Sequence, residues 1–186
     1  MNGIILSIDV GEKHLGYTTV DLETMEFDSG IYEVLEKHGP NVVLGRVSSL
    51  YNFIEEISKK RIYAAVIERQ VVGNEIAMEI MYSLVSLIYP HTSRITIFDP
   101  KRKFTAINQV YVTKNKQHKK LSIANMRKIL ATHKYPSFEH LSTILESQAK
   151  KDDIADSFNQ LLIHMNDLKI ECMNIDEIKQ CVLEFP

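Results

Sequence analysis

The chain has 186 residues, of which 45% are hydrophobic and 25% charged, and its formal net charge is −2. We therefore expect one globular domain over residues 1–186, long enough to bury a sizeable core. The sequence has no run of about 18 uninterrupted apolar residues and no basic-then-apolar segment, which argues against a membrane span and a secretory signal. Cys172 and Cys181 lack the spacing of a zinc site or a disulfide framework, so we expect free thiols and a cytoplasmic, reducing location.

Basic charge is concentrated in residues 100–138. This segment contains eight Lys and two Arg but no Asp or Glu, so the rest of the chain is strongly acidic. A few lysines are typical of a solvated surface loop, but ten uncompensated cations in one segment favour a polyanionic partner. The segment therefore predicts a contact with nucleic acid.

The first predicted strand, residues 3–11, is an almost unbroken aliphatic run that ends at Asp9 and Gly11. Such a run is typical of a buried central strand, in which Ile5, Ser7 and Asp9 share one face. An ionised Asp at the end of this strand is costly unless a cation or several donors meet it. A turn formed by the Asp-x-Gly sequence is the alternative, and the positions of other carboxylates decide between the two.

Two more strands follow with short turns. They are predicted over 14–20 and 25–36, the second interrupted around 28–30, and they form an antiparallel meander with the first strand. A helix comes next, for which Asn41 is the predicted N-cap. A further short strand is predicted over 94–98, where the basic segment is about to begin.

Glu68 ends another apolar strand, residues 62–68, and so repeats the pattern of Asp9. Two such strand ends side by side bring together like charges, which is unfavourable unless a metal lies between them or one acid is protonated. The helix that follows, residues 73–89, is apolar over most of its circumference, so we expect it to be buried on two sides. Its second side faces either a large core or, as we favour, another copy of the chain in a homodimer.

The last strong helix is predicted over residues 150–164, and its first turn contains Asp152, Asp153 and Asp156. The helix dipole favours acids at this position, so capping alone would explain them. Residues three or four apart lie on one helix face, so either Asp152 or Asp153 can bind an ion together with Asp156. Spacing leaves both pairings open. Elsewhere in this half we predict an exposed loop over 115–120, a helix from its N-cap Ser122 to about 132, and short helices over 137–148 and 176–183.

Asp9, Glu68 and an Asp pair of the last helix form a candidate set of hard oxygen ligands. Such a set suits Mg²⁺, with Mn²⁺ as a substitute. Two such ions activate a water and stabilise the leaving oxygen in phosphodiester hydrolysis. No Ser-His-Asp or Cys-His set and no Gly-rich phosphate loop competes with the acids, so together with the basic segment they predict a metal-dependent nuclease without a small-molecule substrate.

Three motifs extend across about residues 3–165. They are Ile8-Asp9-Val10-Gly11 with Gly16-Tyr17, then Val66-Ile67-Glu68-Arg69-Gln70 with Gly73-Asn74, and last Lys150-Lys151-Asp152-Asp153-Ile154-Ala155-Asp156-Ser157-Phe158. With these motifs the chain resembles the RNase H-like nuclease superfamily. Within it, the chain is similar to the RuvC-type Holliday junction resolvases, and among these to the poxvirus resolvases.

The resemblance implies both a fold and a ligand set. The implied fold is a five-stranded mixed α/β sheet, three strands antiparallel and two parallel, with helices on both faces. Because the two helix acids of the family are three apart, the resemblance selects Asp153 and Asp156 and makes Asp152 a bystander. The implied catalytic acids are then Asp9, Glu68, Asp153 and Asp156, which hold two metal ions.

The resemblance also implies a basic side chain near the scissile phosphate. Lys119 and Lys120 are the first candidates and Lys150 is the second. The implied partner is branched DNA, cut by a homodimer that places two active sites on opposite strands of a four-way junction, with viral replication sites as the location. The products would carry a 5′-phosphate and a 3′-hydroxyl, as expected of an endonuclease that processes recombination and replication intermediates.

Three other functions are compatible with parts of the sequence. An RNase H-like enzyme could cut RNA–DNA hybrids or forks instead of junctions. An actin-like ATPase or a sugar kinase also has an Asp-x-Gly after its first strand, but it needs a second lobe that 186 residues do not provide. A catalytically silent DNA-binding module of the same fold is the last alternative, and the presence of all four acids argues against it.

Overall fold

The computed structural model describes residues 2–34, 42–103, 115–133 and 135–170. The predicted cap Asn41, the helix predicted over 176–183 and both cysteines lie outside the described residues. None of the helices in these ranges combines the length and the apolar character that crossing a membrane requires.

A five-stranded mixed sheet forms the centre of the fold. Its strands are β1 (Ile4–Val10), β2 (His14–Asp21), β3 (Phe27–Glu33), β4 (Ile62–Glu68) and β5 (Ile95–Phe98), in the spatial order β3-β2-β1-β4-β5. The pairs β1–β2 and β2–β3 are antiparallel, whereas β1–β4 and β4–β5 are parallel. The predicted mixed sheet is confirmed, and β1 lies at its centre, as its uninterrupted aliphatic sequence predicts.

Helices cover both faces of the sheet, as predicted. Those in the described residues are α1 (Val42–Ile57), α2 (Glu75–Ile88), α3 (Asn115–Thr132), α4 (Phe138–Ser147) and α5 (Lys151–Asp167). Alternate side chains of β1 point to opposite faces. Ile4, Leu6 and Ile8 pack in the core with α1 and α2, and Ile5 packs in the core with α3, α4 and α5.

β3 is shorter than predicted and has no break. Ser29 pairs with Thr18 of β2, and their hydroxyl oxygens are 2.8 Å apart in the core. Gly30 lies under the ring of Tyr17, where a Cβ would come within 2.7 Å of the tyrosine oxygen. The small residues that suggested a turn are therefore needed for close packing inside the strand.

The loop predicted over 115–120 and the N-cap predicted at Ser122 are both wrong. Residues 115–120 are the first turns of α3, and Ser122 lies inside this helix with no exposed surface. Asn125 and Met126 are buried on the same helix, and α3 packs against α5. Packing of one face against a neighbouring helix, rather than a cap at Ser122, accounts for helix at these residues.

Candidate active site

Asp9 and Glu68 lie next to each other at the carboxyl ends of two adjacent strands. β1 and β4 are parallel, and Ile8 is aligned with Ile67, so the two acids that follow occupy equivalent positions. Only 9% of the surface of Asp9 is exposed. Two neighbouring buried acids require a compensating positive charge.

Asp156 reaches the same point from α5. The approach of this helix depends on Gly16, which pairs with Asp9 across β1 and β2. The carbonyl oxygen of Asp153 lies so close to Gly16 that an added Cβ would be 2.1 Å from it. A glycine at this position therefore lets the acidic end of α5 contact the strand that flanks Asp9.

A buried lysine, Lys103, contacts all three carboxylates. Its Nζ lies 3.1 Å from Asp9 Oδ1, 2.8 Å from Glu68 Oε1 and 3.4 Å from Asp156 Oδ2. Only 2% of Lys103 is exposed. Three carboxylates share one ammonium here, so the cluster keeps an excess of negative charge if all three acids are ionised.

Lys103 was not among the predicted site residues, although its position after β5 was a usable signal. β5 runs parallel to β4, so its carboxyl end lies at the same edge of the sheet as Asp9 and Glu68. Lys103 follows that end after one turn, in which its own N–H donates to the Pro100 carbonyl. The carboxyl ends of parallel strands meet at one edge of the sheet, and this brings Lys103 to the same place as the two acids.

The pKa values of Asp9 and Glu68 are shifted in opposite directions. Burial, reinforced by the negative charges of Glu68 and Asp156, raises the pKa of Asp9 well above its ordinary value. Burial acts on Glu68 in the same direction, but the Lys103 ammonium and a hydrogen bond with Asp9 hold the pKa of Glu68 below its ordinary value. Asp9 therefore accepts a proton more readily than Glu68 does.

Opposite effects act on Lys103 and Asp156. Burial alone would lower the pKa of Lys103, but the charges of Asp156, Asp9 and Glu68 raise it well above its ordinary value, so the ammonium stays charged. Burial raises the pKa of Asp156, while Lys103 and a hydrogen bond donated by the Ser122 hydroxyl oppose the shift. Ser122 is thus a direct partner of a predicted metal ligand.

The other predicted site residues lie around this cluster. Asp153 packs against Gly16, and burial together with the charge of Asp152 raises its pKa. Lys119 forms an ion pair with Asp152, at the acidic end of α5. Lys120 and Lys150 are exposed. Of the predicted lysines, Lys119 therefore pairs directly with this acidic end.

Gln160, fully buried on α5, bridges the two strands that carry the acids. Its side-chain Nε2 donates to the Ile8 carbonyl at 3.2 Å and to the Val66 carbonyl at 3.1 Å. Ile8 comes one residue before Asp9, and Val66 two residues before Glu68. One amide group therefore links α5 to both β1 and β4 directly beneath the site.

The carboxylate cluster has the donor chemistry of a Mg²⁺ or Mn²⁺ site, since both ions prefer oxygen ligands. Among the described residues, however, no group of three or more His, Cys, Asp or Glu side chains is already arranged to enclose an ion. The oxygens lie 2.8–3.4 Å from the Lys103 Nζ. Because Mg²⁺ binds oxygen at about 2.0–2.1 Å, the carboxylates would have to move inward by about 1 Å.

A family model described as the poxvirus A22 protein matches residues 3–169. The chain belongs to the poxvirus A22 protein family. This membership confirms the resemblance to the poxvirus resolvases that the three motifs indicated. The match spans β1 to α5 of this A22 family member and so includes every residue of the cluster. No curated protein sequence matches the chain.

Solved structures share the fold of this A22 family member. The fowlpox virus Holliday junction resolvase is 20% identical, with a TM-score of 0.60, and the match covers 89% of this chain and 99% of that one. Thermus thermophilus RuvC is 14% identical, with a TM-score of 0.61 and coverage of 90% and 96%. The structure of T. thermophilus RuvC in complex with a Holliday junction substrate is 16% identical, with a TM-score of 0.61, and the match covers 90% of this chain and 96% of that one. The RNase H-like fold of the resolvases is therefore the fold of this chain.

Proposed function

We propose that this chain is a divalent-metal-dependent endonuclease that resolves four-way and other branched DNA. The observation that carries the proposal is the meeting of three carboxylates, from β1, β4 and α5, at one buried ammonium. The family membership and the shared fold of proteins described as Holliday junction resolvases support the choice of substrate. The enzyme would act in the cytoplasm, at sites of viral replication.

Asp9, Glu68 and Asp156 would hold the metal, and Asp153, one turn earlier on α5, would complete a site for two Mg²⁺ ions. When bound, the metal supplies an activated water and a positive charge for the leaving oxygen of the phosphodiester. The chain itself contributes rigid ligands, because two of them end strands of the central sheet. Ser122 orients the third by donating a hydrogen bond to Asp156.

Lys119 and Lys120 stay our first candidates for contact with the scissile phosphate, and Lys150 the second. Lys119 lies on α3 and reaches Asp152, so its ammonium is beside the acidic end of α5. This hydrogen bond raises the pKa of Lys119 and so favours its charged form. A charged lysine attracts a phosphate oxygen whatever the base sequence, so these lysines would position the backbone rather than select a sequence.

We also propose that α2 forms a homodimer interface. Its buried residues, among them Ile80 and Leu84, face the sheet, while Tyr82 and Tyr89 are 59% and 68% exposed. α1, which contacts α2, likewise exposes Tyr51. Exposed tyrosines are typical of protein interfaces, because the ring buries a large apolar area and the hydroxyl tolerates water. A two-fold dimer would place two active sites on one junction.

A gel assay on synthetic four-way junctions, forks, RNA–DNA hybrids and linear duplexes, with and without Mg²⁺, tests the proposal. We expect paired cuts in the junction only when Mg²⁺ is present, leaving a 5′-phosphate and a 3′-hydroxyl. Cleavage of the hybrid with an intact junction would instead identify an RNase H-type enzyme. Junction binding without any nicking would identify a catalytically silent module.

A further inference from the structure

Lys103 occupies the position at which a cation can be shared by Asp9, Glu68 and Asp156. Its Nζ is within 3.4 Å of an oxygen of each acid, and the side chain is almost completely buried. A lysine placed there for DNA contact would need an exposed ammonium. This ammonium instead neutralises acids that would otherwise repel each other.

An ion bound by the same oxygens is repelled by this ammonium. A Mg²⁺ ion about 2.0–2.1 Å from Glu68 Oε1, which lies 2.8 Å from Nζ, would be no more than about 5 Å from Nζ, where two positive charges repel strongly in a buried site. Either the ion or the ammonium can occupy the centre of the cluster. Metal binding therefore requires Lys103 to leave.

The turn that carries Lys103 is held by contacts that allow such a movement. Arg102 forms a bidentate pair with Asp167 of α5, with both distances at 2.9 Å, and Arg69 lies 3.1 Å from Asp99. Both pairs are partly exposed, so solvent screens them. Lysine also has a flexible four-carbon stem, so its ammonium can move away while the turn stays in place.

We propose that Lys103 is a place-holder for the metal: it binds the three acids in the metal-free chain and is released to solvent when a divalent ion binds. This inference rests on the proposed metal-dependent function. Release would create a new positive charge at the mouth of the site only when the site is loaded. Phosphate attraction and metal loading would thus be coupled.

Amine labelling of the unmodified full-length protein tests the release directly. The protein is acetylated with an N-hydroxysuccinimide ester, with or without Mg²⁺ and without DNA, and each lysine is quantified by peptide mass spectrometry. We expect Lys103 to be protected without metal and labelled with it, whereas exposed Lys101 in the same turn is labelled equally in both states. Equal labelling of Lys103 in both states would overturn the proposal.

Calorimetric titration with Mg²⁺ alone provides a second test. Lys103→Met removes the competing cation, so we expect Mg²⁺ to bind about tenfold more tightly or better. Lys101→Met removes a charge from the same turn and should bind Mg²⁺ as the wild type does. Unchanged or weaker binding by Lys103→Met would contradict the proposal. If wild-type protein nevertheless cuts junctions with Mg²⁺, only the place-holder role of Lys103 is contradicted, and the proposed function stands.

Discussion

At the scale of single residues, the acids of the site differ in burial, in pKa and in hydrogen-bond partners. Asp9 is the most buried of the cluster acids and has its pKa raised, while Glu68 beside it keeps its charge through Lys103. Asp156 is steadied by Ser122, whose hydroxyl oxygen also accepts from Asn159 Nδ2 at 2.8 Å. The three acids share Lys103, but Asp156 also accepts from Ser122, so replacing Ser122 should affect Asp156 first.

Asp153 and Asp152 are adjacent, yet we expect opposite results from replacing them. Asp153→Asn should abolish junction cleavage, because it removes a proposed metal ligand, while junction binding stays equal or improves through the loss of a carboxylate that repels phosphate. Asp152→Asn removes only the pair with Lys119 and should leave cleavage nearly unchanged. Gel-shift and cleavage assays on the same junction measure both effects. Exchanged results would mean that Asp152, four residues before Asp156, is the ligand.

Asp9 and Glu68 were easier to predict from the sequence than Lys103, for a physical reason. Asp9 and Glu68 each interrupt an aliphatic run, so their cost in a buried strand is visible in the sequence. Lys103 is one of eight lysines in a basic segment, and nothing in its neighbours distinguishes it. Its burial arises from the turn after β5 and from acids that are distant in sequence.

At the scale of elements, α5 connects the parts of the site. It carries Asp156 and contacts β2 at Gly16. In the core, the hydroxyl oxygen of its Ser157 lies 2.8 Å from that of Thr18. The apolar face of α5 was predictable from its helical spacing. The early start of α3 was not, because the first buried residues in its described part, Ser122 and Asn125, are polar, and their burial becomes favourable only when α5 is present.

Gly16→Ala should weaken both folding and cleavage. The added Cβ would lie 2.1 Å from a backbone oxygen of Asp153, so the start of α5 must shift. Overpacking of this kind costs about 1–3 kcal/mol, and urea unfolding measures it. Gly30→Ala is the matched control: its Cβ meets the end of the Tyr17 side chain, which can move, so the loss should be smaller. Equal losses would show that α5 is free to adjust.

His164, on the same helix, predicts a pH dependence. It is 3% exposed, and neither ring nitrogen has a hydrogen-bond partner among the described residues. Burial lowers its pKa below the ordinary 6.5, with Asp167 opposing the shift and Arg102 adding to it. The unfolded chain therefore binds a proton at this histidine more readily than the folded chain does. The contribution of neutral His164 to the free energy of unfolding is complete above pH 6.5 and is lost as the pH falls below it.

His164→Leu should reduce that loss. Urea unfolding at several pH values between about 7.5 and 5 measures the slope of stability against pH. His140→Leu changes an exposed histidine on α4 and serves as the control. If the two variants lose stability with the same slope as the wild type, protonation of His164 does not limit folding.

At the scale of the whole molecule, the topology was predictable and the partner surface only partly so. Apolar runs that end in acids predicted the two central parallel strands, and short turns predicted the meander. The apolar circumference of the 73–89 segment predicted that α2 has two occupied sides. In the structure one side is buried against the sheet, and the other exposes Tyr82 and Tyr89.

Tyr82→Asp combined with Tyr89→Asp should convert a dimer into a monomer, because two like charges would face each other across a two-fold interface. Size-exclusion chromatography with light scattering measures the mass. Thr143→Asp places the same charge on exposed α4, on the opposite face of the sheet, and should remain dimeric. A double variant that stays dimeric would place the interface elsewhere.

Gln160 would give α5 an influence on which ion the proposed metal site accepts. Its amide binds the carbonyls of Ile8 and Val66, so it ties β1 and β4 together close to Asp9 and Glu68. Mg²⁺ needs oxygens at about 2.0–2.1 Å and Ca²⁺ at about 2.3–2.6 Å, so a small widening of the gap between these strands favours the larger ion. Discrimination by ionic radius would then be determined by a side chain that never touches the metal.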